Sequence, residues 1–238
     1  MTIRIAMWSG PRNLSTAMMY AFSARGDCRV SDEPFYAAYL AKTGIDHPMR
    51  SEILASQPND PAKVALTQDQ PTALWYQKHM TQHMLPDMPT DWMAHCQHAF
   101  LIRHPARVVA SYARKREAPT LDDIGFLQQE HLFNTIRERT GTTPPVIDST
   151  DIRAAPEPML RALCNALKIP FTDAMLHWPA GPKPEDGVWA RVWYNAVHAS
   201  TGFDAAEGPL PDLPEQYQSV ADAAMPAYLT LAAHKLTG

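Results

Sequence analysis

The feature that most constrains the fold of this chain is a strand-like run that stops at a turn and resumes as a helix within the first 25 residues. The run Ile3 to Trp8 is largely apolar, and Gly10-Pro11 interrupts it. Ser15 to Arg25 then carries apolar residues at helical spacing. Such a turn leaves backbone N–H groups unpaired at the positive end of a helix dipole, so we expect it to bind an anion such as phosphate.

The side chains of this loop, residues 11–16, suit an anion. Arg12 supplies a positive charge, and Ser15 and Thr16 supply hydroxyl groups. The common triphosphate-binding loop needs a second glycine and a lysine before its Ser/Thr residue, whereas Asn13 and Leu14 stand there in this chain. The loop therefore predicts a phosphate site of another kind.

A second strand-to-helix segment covers residues 98–114. Arg103 stands at the end of its apolar strand, and Pro105 suits the first turn of a helix, where no N–H donor is needed. Ser111 follows about two turns further on, and Arg107 is near enough in sequence to reinforce an anion site. This segment also predicts an anion site at the end of a strand.

Together the two segments resemble the sulfotransferase family that uses 3'-phosphoadenosine 5'-phosphosulfate (PAPS) as its donor. In that family, a loop of the form Pro-Lys/Arg-Ser-Gly-Thr/Ser-Thr/Ser holds the 5'-phosphosulfate. Four positions of this chain match that loop, namely Pro11, Arg12, Ser15 and Thr16. Asn13 and Leu14 replace its Ser-Gly pair, so the glycine that lets the backbone approach the phosphate is missing. The resemblance implies that residues 11–16 bind the 5'-phosphosulfate.

The second family pattern is Arg-x-Pro followed by a helical serine eight residues after the arginine, and it holds the 3'-phosphate. Arg103, Pro105 and Ser111 reproduce it with the spacing intact. A third likeness, over residues 158–171, matches the helix and turn that follow the last core strand in many sulfotransferases. The resemblance thus covers most of residues 1–171, and it implies a PAPS site that needs no metal ion.

The pattern of short apolar runs predicts a parallel sheet. Strands are expected at Ile3 to Trp8, Cys28 to Ser31, Ala73 to Gln77, Ala99 to Ile102 and Val146 to Asp148. Helices are expected at Ser15 to Arg25, Tyr36 to Lys42, Thr81 to Met84, Ala106 to Lys115, Leu121 to Glu138 and Pro158 to Leu167. We predict an α/β fold of three layers, a central parallel sheet with helices on both faces, and the family implies P-loop NTPase-like topology.

Composition limits the classes of protein and partner. The 238 residues are expected to form one domain, residues 1–238, in which 205–238 packs as an extension after a proline-rich stretch. The net charge of −4 gives no general attraction to nucleic acid or to anionic lipid. No stretch has the apolar length of a membrane span, the amino terminus lacks the layout of a signal peptide, and the three cysteines show no paired spacing. A cytoplasmic protein is expected.

Two strand ends offer a catalytic base for an acceptor hydroxyl. One is the segment Asp32-Glu33, in which Glu33 matches a carboxylate position used by some bacterial sulfotransferases. The other is Lys78-His79, where many family members carry a lysine and a nearby histidine base. Lys78 is expected to stabilise the leaving oxygen. His79 and His83 are four residues apart, a spacing that permits a metal site on a helix, but the sequence shows no third ligand.

The segment 181–194 occupies the region in which the family carries a basic loop over the nucleotide, although the usual Arg-Lys-Gly run is absent. Two interpretations stay open. Lys183, Trp189 and Arg191 are candidates to close over the donor, or else Trp189 and Trp193, four residues apart, form one core stripe of a helix. The position after the loop that is often aromatic is Ala17, so no residue is assigned to the adenine.

The sequence therefore predicts a PAPS-dependent sulfotransferase that acts on a hydroxyl or amine of a small molecule. Glu33 or His79 is the expected base. Two alternatives stay open: a binding or interaction protein that keeps the fold without turnover, and a P-loop kinase or hydrolase. The acceptor and the oligomeric state are not specified by any motif; the variable stretches 36–70 and 120–131 are the expected walls of the acceptor pocket.

Overall fold

A computed structural model describes residues 2–66, 72–114 and 119–238, and in this part of the chain five strands form one sheet. The strands are β1 Ile3–Ser9, β2 Cys28–Asp32, β3 Leu74–Met80, β4 Gln97–Ile102 and β5 Val146–Asp148. Their order is β2-β3-β1-β4-β5, and all four pairings are parallel. All five predicted strands are present, and the predicted α/β class is confirmed.

Both faces of the sheet are covered. All seven residues of β3 and the last five of β1 are buried, although successive side chains in a strand point to opposite faces. Continuous burial of this kind is typical of parallel strands packed between two layers of helices. The core includes large side chains that are fully buried, among them Trp8, Phe22, Tyr76 and Phe100.

Twelve α-helices surround the sheet in the described residues. They are α1 Ser15–Ser23, α2 Tyr36–Thr43, α3 Arg50–Ser56, α4 Pro61–Ala65, α5 Pro105–Ala113, α6 Leu121–Ile124, α7 Phe126–Thr140, α8 Ser149–Ala154, α9 Pro156–Ala166, α10 Ala190–Trp193, α11 Asn195–His198 and α12 Glu215–Ala232. Three short 3-10 helices add Thr81–His83, Asp91–His95 and Asp173–Leu176. No described helix has both the length and the apolar character needed to cross a membrane.

Several predicted helices differ from those observed. The single helix expected from Leu121 to Glu138 was wrong, because Gly125 adopts φ 69° and separates α6 from α7. The segment that begins at Thr81 is a 3-10 helix rather than an α-helix. The expected helix from Ala106 begins one residue earlier, and its predicted last residue, Lys115, lies outside the described residues. Helices α3, α4, α8, α11 and α12 were not predicted, and a helix at the position of α10 was only one of two interpretations of residues 181–194.

Residues 215–238 pack onto the rest of the domain. Helix α12 lies against α5 and α7, and its buried contact residues are Ala221, Ala224 and Ala227. Beyond the helix, the Leu236 N–H donates a hydrogen bond to the Val146 carbonyl at 2.8 Å, and Lys235 forms a parallel bridge with Val146. The last residues of the chain thus lie along the outer edge of β5.

The topology places a crevice at one end of the sheet. β1 lies between β3 and β4, and the chain leaves β1 through α1 toward β2 on one side but leaves β4 through α5 toward β5 on the other. Ligands in open α/β sheets bind beyond the carboxyl ends of the strands at such a switch point. Residues 11–16 and Arg103 follow directly after β1 and β4, so the fold brings both predicted phosphate motifs to this crevice.

Candidate functional site

A cavity of about 410 Å³ occupies this crevice. All the residues predicted to bind the donor line it, namely Pro11, Arg12, Asn13, Leu14, Ser15, Thr16, Arg103 and Ser111. Two of the three predicted catalytic residues, Glu33 at the end of β2 and Lys78 in β3, line it as well. The third, His79, does not.

The loop after β1 presents backbone donors to the cavity. Arg12 and Leu14 adopt left-handed conformations, with φ of 61° and 69°. Leu14 is the N-cap of α1, and its hydrocarbon side chain has no atom that could accept a hydrogen bond from the first helical turn. A left-handed residue other than glycine costs about 1–3 kcal/mol and persists where surrounding structure fixes it, often at a functional site. Leu14 thus takes a conformation that glycine adopts without strain, and the start of α1 keeps its N–H donors for a ligand.

The two phosphate motifs are in direct contact. The Arg103 Nη1 donates to the Arg12 carbonyl at 2.8 Å, across 91 positions of sequence. The Arg12 Nε donates to the Ser111 Oγ at 2.9 Å. Burial lowers the pKa of the Arg12 guanidinium, and the positive charges of Arg103 and Arg114 lower it further. This concentration of positive charge at one end of the cavity favours an anionic ligand.

Unsatisfied polar atoms cluster on the same cavity. Among the residues that the structure describes, five of those that line the cavity have a buried atom with no hydrogen-bond partner: Asn13 Oδ1, Gln82 Oε1, His83 Nδ1, Arg103 Nε and Ser149 Oγ. Most buried polar atoms in folded proteins are paired, because an unpaired one costs about 1–3 kcal/mol. The walls therefore suit a polar ligand that supplies both donors and acceptors, as a nucleotide does.

A buried ionic network forms the floor of the cavity at the ends of β2 and β3. Lys78, only 1% exposed, donates from Nζ to Asp32 Oδ1 at 2.8 Å and to Glu33 Oε1 at 2.6 Å. It also donates to the Tyr194 hydroxyl at 2.5 Å. The two carboxylates raise the pKa of Lys78 despite its burial. The lysine is therefore held as a cation at a fixed place beside Glu33.

Tyr194 ties the late segment of the chain to this network. Its hydroxyl donates to Asp32 at 2.7 Å and accepts from the Trp189 indole N–H at 3.1 Å. The Gly187 N–H donates to Asp32 Oδ2 at 3.0 Å. The sequence analysis assigns no role to Tyr194, because no local pattern indicates that its hydroxyl contacts Asp32 of β2, 162 positions away.

The two interpretations of segment 181–194 resolve in part. Trp189 is 2% exposed and meets Tyr36 edge-to-face at 5.1 Å, as a core residue does, yet Trp189 and Trp193 both line the cavity. Lys183 donates to the Pro179 carbonyl, and Arg191 pairs with Glu52 at 2.9 Å. Neither cation lines the cavity. The aromatic residues, rather than the basic ones, are the part of this segment that faces the site.

Glu33 combines backbone strain with an unusual electrostatic environment. It adopts φ 43°, a conformation fixed by its N–H bond to the Lys78 carbonyl at 3.0 Å and by the Gln57 Nε2, which donates to the Glu33 carbonyl at 3.2 Å. Burial raises the pKa of its carboxyl, and nearby Asp32 raises it further, against the opposing charge of Lys78. A buried carboxyl with a raised pKa on the wall of a cavity has the properties of a general base.

His79 lies on the face of β3 that points away from the cavity. Lys78 and Met80 face the cavity, so His79 between them faces away, stacked on Trp8 at 4.6 Å and Trp92 at 5.0 Å. Its Nε2 pairs with Gln77, and burial lowers its pKa to about 3. The structure thus does not bring His79 to the site at which a base is needed.

His83 does line the cavity, between the rings of Tyr36 and Tyr39, and its Nδ1 is 4.0 Å from Glu33 Oε2. Burial lowers its pKa well below the usual range for histidine. His79 and His83 do not form a shared face, since one lies in β3 and the other in a 3-10 turn. Within residues 2–66, 72–114 and 119–238, no group of three His, Cys, Asp or Glu side chains is placed to hold a metal ion.

Comparisons with known proteins agree with this architecture. The chain is 37% identical over 233 residues to branched-chain-amino-acid aminotransferase-like protein 1 of Arabidopsis thaliana and 35% identical to protein 2 of the same name. These matches cover 97% of this chain but only 42% and 41% of the relatives, so the chain spans about two fifths of their length. Their names describe those longer proteins.

Among solved structures, the sulfotransferase domain from the curacin biosynthetic pathway superposes with a TM-score of 0.59. The match covers 94% of this chain and 98% of that one at 16% identity, which shows a shared fold. A family model described as the sulfotransferase domain matches residues 3–235. Since that match spans nearly the whole chain, this protein belongs to the sulfotransferase domain family.

Proposed function

We propose that this protein transfers the sulfuryl group of PAPS to a hydroxyl or amine of a small-molecule acceptor. The observation that carries the proposal is the contact between its two phosphate motifs, in which Arg103 binds the Arg12 carbonyl and Arg12 binds Ser111 on the wall of one cavity. Two anion sites joined in this way suit a donor that carries a phosphate at each of two positions on its ribose.

Each end of the donor has its own residues in this proposal. The 5'-phosphosulfate lies at the start of α1, where Arg12, the hydroxyls of Ser15 and Thr16 and the N–H groups of the first turn are available. The 3'-phosphate lies at Arg103 and Ser111. The unpaired polar atoms of Asn13 and Ser149 are further partners for the nucleotide.

Transfer follows from the position of Glu33. Its carboxylate takes the proton of the acceptor hydroxyl, the acceptor oxygen forms a bond to sulfur, and the bond from sulfur to the 5'-phosphate oxygen breaks. The products are a sulfate ester and adenosine 3',5'-bisphosphate. Lys78, which contacts Glu33 at 2.6 Å and lines the same cavity, supplies a positive charge that stabilises the negative charge developing on the leaving oxygen.

The acceptor is a small molecule in this proposal. A cavity of about 410 Å³ lies within the range of about 300–1,000 Å³ that is typical of small-molecule sites. The acceptor pocket was expected to be formed by residues 36–70 and 120–131. Tyr36 and His47 of the first stretch line the cavity, whereas no residue of the second stretch does. Residues 67–70 lie outside the described residues. We propose no nucleic-acid or membrane partner, in keeping with the net charge of −4. We propose a cytoplasmic location, in keeping with three cysteines that form no disulfide.

Calorimetric titration of adenosine 3',5'-bisphosphate tests the donor site. We expect wild type to bind it with micromolar affinity and Arg103→Ala to lose at least about tenfold, since a charge-assisted bond contributes about 1.5–3 kcal/mol. ADP, which has no 3'-phosphate, serves as the ligand control. Arg161→Ala on the exposed face of α9 serves as the matched variant, with the affinity of wild type.

The other outcomes separate the alternatives. No binding of the bisphosphate would reject PAPS as donor, and magnesium-dependent binding of ATP instead would favour a kinase or hydrolase. Tight binding of the bisphosphate together with no transfer to a broad panel of phenols, alcohols and amines would favour a binding protein that has kept the fold.

A further inference from the structure

Three arginines converge on one carboxylate beside the donor site. Glu207 Oε1 accepts from Arg103 Nη2 and, at 3.0 Å, from Arg153 Nη1. Its Oε2 lies 3.2 Å from Arg107 Nε and accepts from the Thr150 hydroxyl at 3.1 Å. The Glu207 side chain is only 3% exposed. We call Arg103, Arg107 and Arg153 the arginine cluster.

This set of donors has the chemistry of a phosphomonoester site. Guanidinium groups and a hydroxyl that converge from several directions satisfy an anion with two or more oxygens, and paired N–H donors of arginine suit phosphate and carboxylate equally. Arg103, the residue that the proposed function gives to the 3'-phosphate, is one of the three. A carboxylate of the chain itself therefore occupies the place of that phosphate.

The segment that carries Glu207 is held mainly by the same arginines. Residues 203–214 contain no helix or strand. Arg153 Nε donates to the Ala205 carbonyl at 2.9 Å and Arg153 Nη2 lies 3.9 Å from Asp204 Oδ2, while Arg107 donates to the Gly208 carbonyl. A ligand that recruits the arginine cluster thus removes the contacts that hold residues 204–208 in place.

We propose that Glu207 is an intramolecular competitor of the donor's 3'-phosphate: it occupies the arginine cluster in the empty protein and must leave when a 3'-phosphorylated nucleotide binds. This inference rests on the proposed function. A phosphate monoester carries more negative charge and more acceptor oxygens than a carboxylate, so it can displace Glu207 from three guanidinium groups. A nucleotide without the 3'-phosphate gains nothing from that displacement.

In this proposal, the apparent affinity for the bisphosphate depends on the fraction of molecules in which the arginine cluster is open, that is, not occupied by Glu207. If Glu207 occupies it in about 90–99% of molecules, the apparent dissociation constant for the bisphosphate is raised about 10- to 100-fold over that of the open form. Glu207→Gln removes the competing charge with little change in shape. We expect this variant to bind adenosine 3',5'-bisphosphate at least about tenfold more tightly than wild type, and adenosine 5'-monophosphate with nearly unchanged affinity.

Calorimetry on wild type, Glu207→Gln and Asp212→Asn tests this. Asp212 is an exposed residue of the same segment, so Asp212→Asn removes the same charge without changing the arginine cluster. The affinities of this variant for adenosine 3',5'-bisphosphate and for adenosine 5'-monophosphate should both match those of wild type. Glu207→Asp, which keeps the charge on a side chain shorter by one methylene, should bind the bisphosphate with intermediate affinity. Thermal unfolding of each variant shows that it is folded.

The outcomes distinguish this inference from the proposed function. If wild type binds the bisphosphate and Glu207→Gln binds it equally or less tightly, Glu207 is a structural ion-pair partner and the inference is overturned while the donor site stands. An equal gain in the affinity of Glu207→Gln for adenosine 5'-monophosphate would also overturn the inference, because the gain would then come from the general loss of a negative charge rather than from the 3'-phosphate. If neither wild type nor the variant binds the bisphosphate, the proposed donor fails and the inference fails with it.

Discussion

At the scale of single residues, Glu33 is the position at which strain, burial and charge coincide. Its left-handed backbone turns the carboxylate from the end of β2 into the cavity, while Lys78 holds one of its oxygens at 2.6 Å. Removing one member of such a buried pair leaves the other charge uncompensated, at a cost of about 3–5 kcal/mol. We therefore expect this carboxylate to have a function that an ordinary surface glutamate does not have.

We expect Glu33→Gln to lower sulfuryl transfer by about 10²- to 10⁴-fold, because the amide cannot accept the acceptor's proton. Its affinity for adenosine 3',5'-bisphosphate should stay near that of wild type. Since burial raises the pKa of Glu33, the wild-type rate should rise with pH through a value above the usual ~4.3 of glutamate, as the base loses its proton. That rise should vanish in the variant.

Steady-state rates across pH, with PAPS and any acceptor that wild type accepts, measure both effects. Glu185→Gln, on an exposed glutamate of the late segment, is the matched control and should keep the wild-type profile. Wild-type activity in Glu33→Gln would exclude Glu33 as the base.

The meeting of the two predicted phosphate motifs at one cavity could be predicted from sequence because each motif is local. Residues 11–16 and the pair Arg103 and Ser111 each lie within a few turns of one strand end, where spacing alone carries information. The role predicted for His79 assumes a strand that ends at Gln77, with His79 in the loop that follows. β3 instead continues to Met80, so side-chain alternation places Lys78 and His79 on opposite faces of the sheet. Glu207 meets Arg103 across 104 positions, a contact with no local signal.

At the scale of elements, the packing of α12 on α5 supports one wall of the cavity from behind. Helix α5 carries Arg107 and Ser111 toward the site, and α12 approaches it through three small buried residues, Ala221, Ala224 and Ala227. Small side chains at such a contact let two helices pack closely. The position of α5 relative to β4 therefore depends on the size of the residues in α12.

We expect Ala224→Leu to lower the free energy of unfolding by about 1–3 kcal/mol, because Ala224 is fully buried and the added carbons have no space. Urea unfolding followed by circular dichroism measures the change. Ala223→Leu, at the exposed neighbouring position of the same helix, should change it by less than about 0.5 kcal/mol. Equal effects of the two substitutions would show that α12 does not pack as described.

Elements with strong patterning were predictable, whereas short helices were not, and neither was α12, which contains Pro226 although proline normally ends a helix. The strands and the first helix carry long apolar runs or clear periodicity. Helices α3 and α4 have seven and five residues, too few turns to show a period, and their stability comes from tertiary contacts. The break at Gly125 depends on a left-handed turn that a glycine permits but does not require.

At the scale of the whole molecule, the cavity joins parts of the chain that are far apart in sequence. Its walls come from the ends of β1, β2 and β3, from the loop after β4, from α5 and α8 and from residues 189–204. A ligand that binds there contacts all of these segments at once. Its binding free energy therefore adds to the stability of the entire domain rather than of one element.

We expect adenosine 3',5'-bisphosphate at about 100 times its dissociation constant to stabilise wild type by ~2.7 kcal/mol, which raises Tm by about 5–10 °C for a domain of this size. Scanning calorimetry measures the shift. Arg103→Ala, with its affinity lower by at least about tenfold, should show at most about half of it at the same nucleotide concentration, and Arg161→Ala should show all of it. A full shift in Arg103→Ala would place the nucleotide elsewhere.

The contact between Leu236 and β5 bears on how the protein behaves at high concentration. β5 is a three-residue outer strand, and an uncovered outer strand can pair with a strand of another molecule. The Leu236 N–H occupies the Val146 carbonyl on that side. A substitution or a deletion that removes this contact would therefore expose the outer edge of β5 and promote aggregation through that strand.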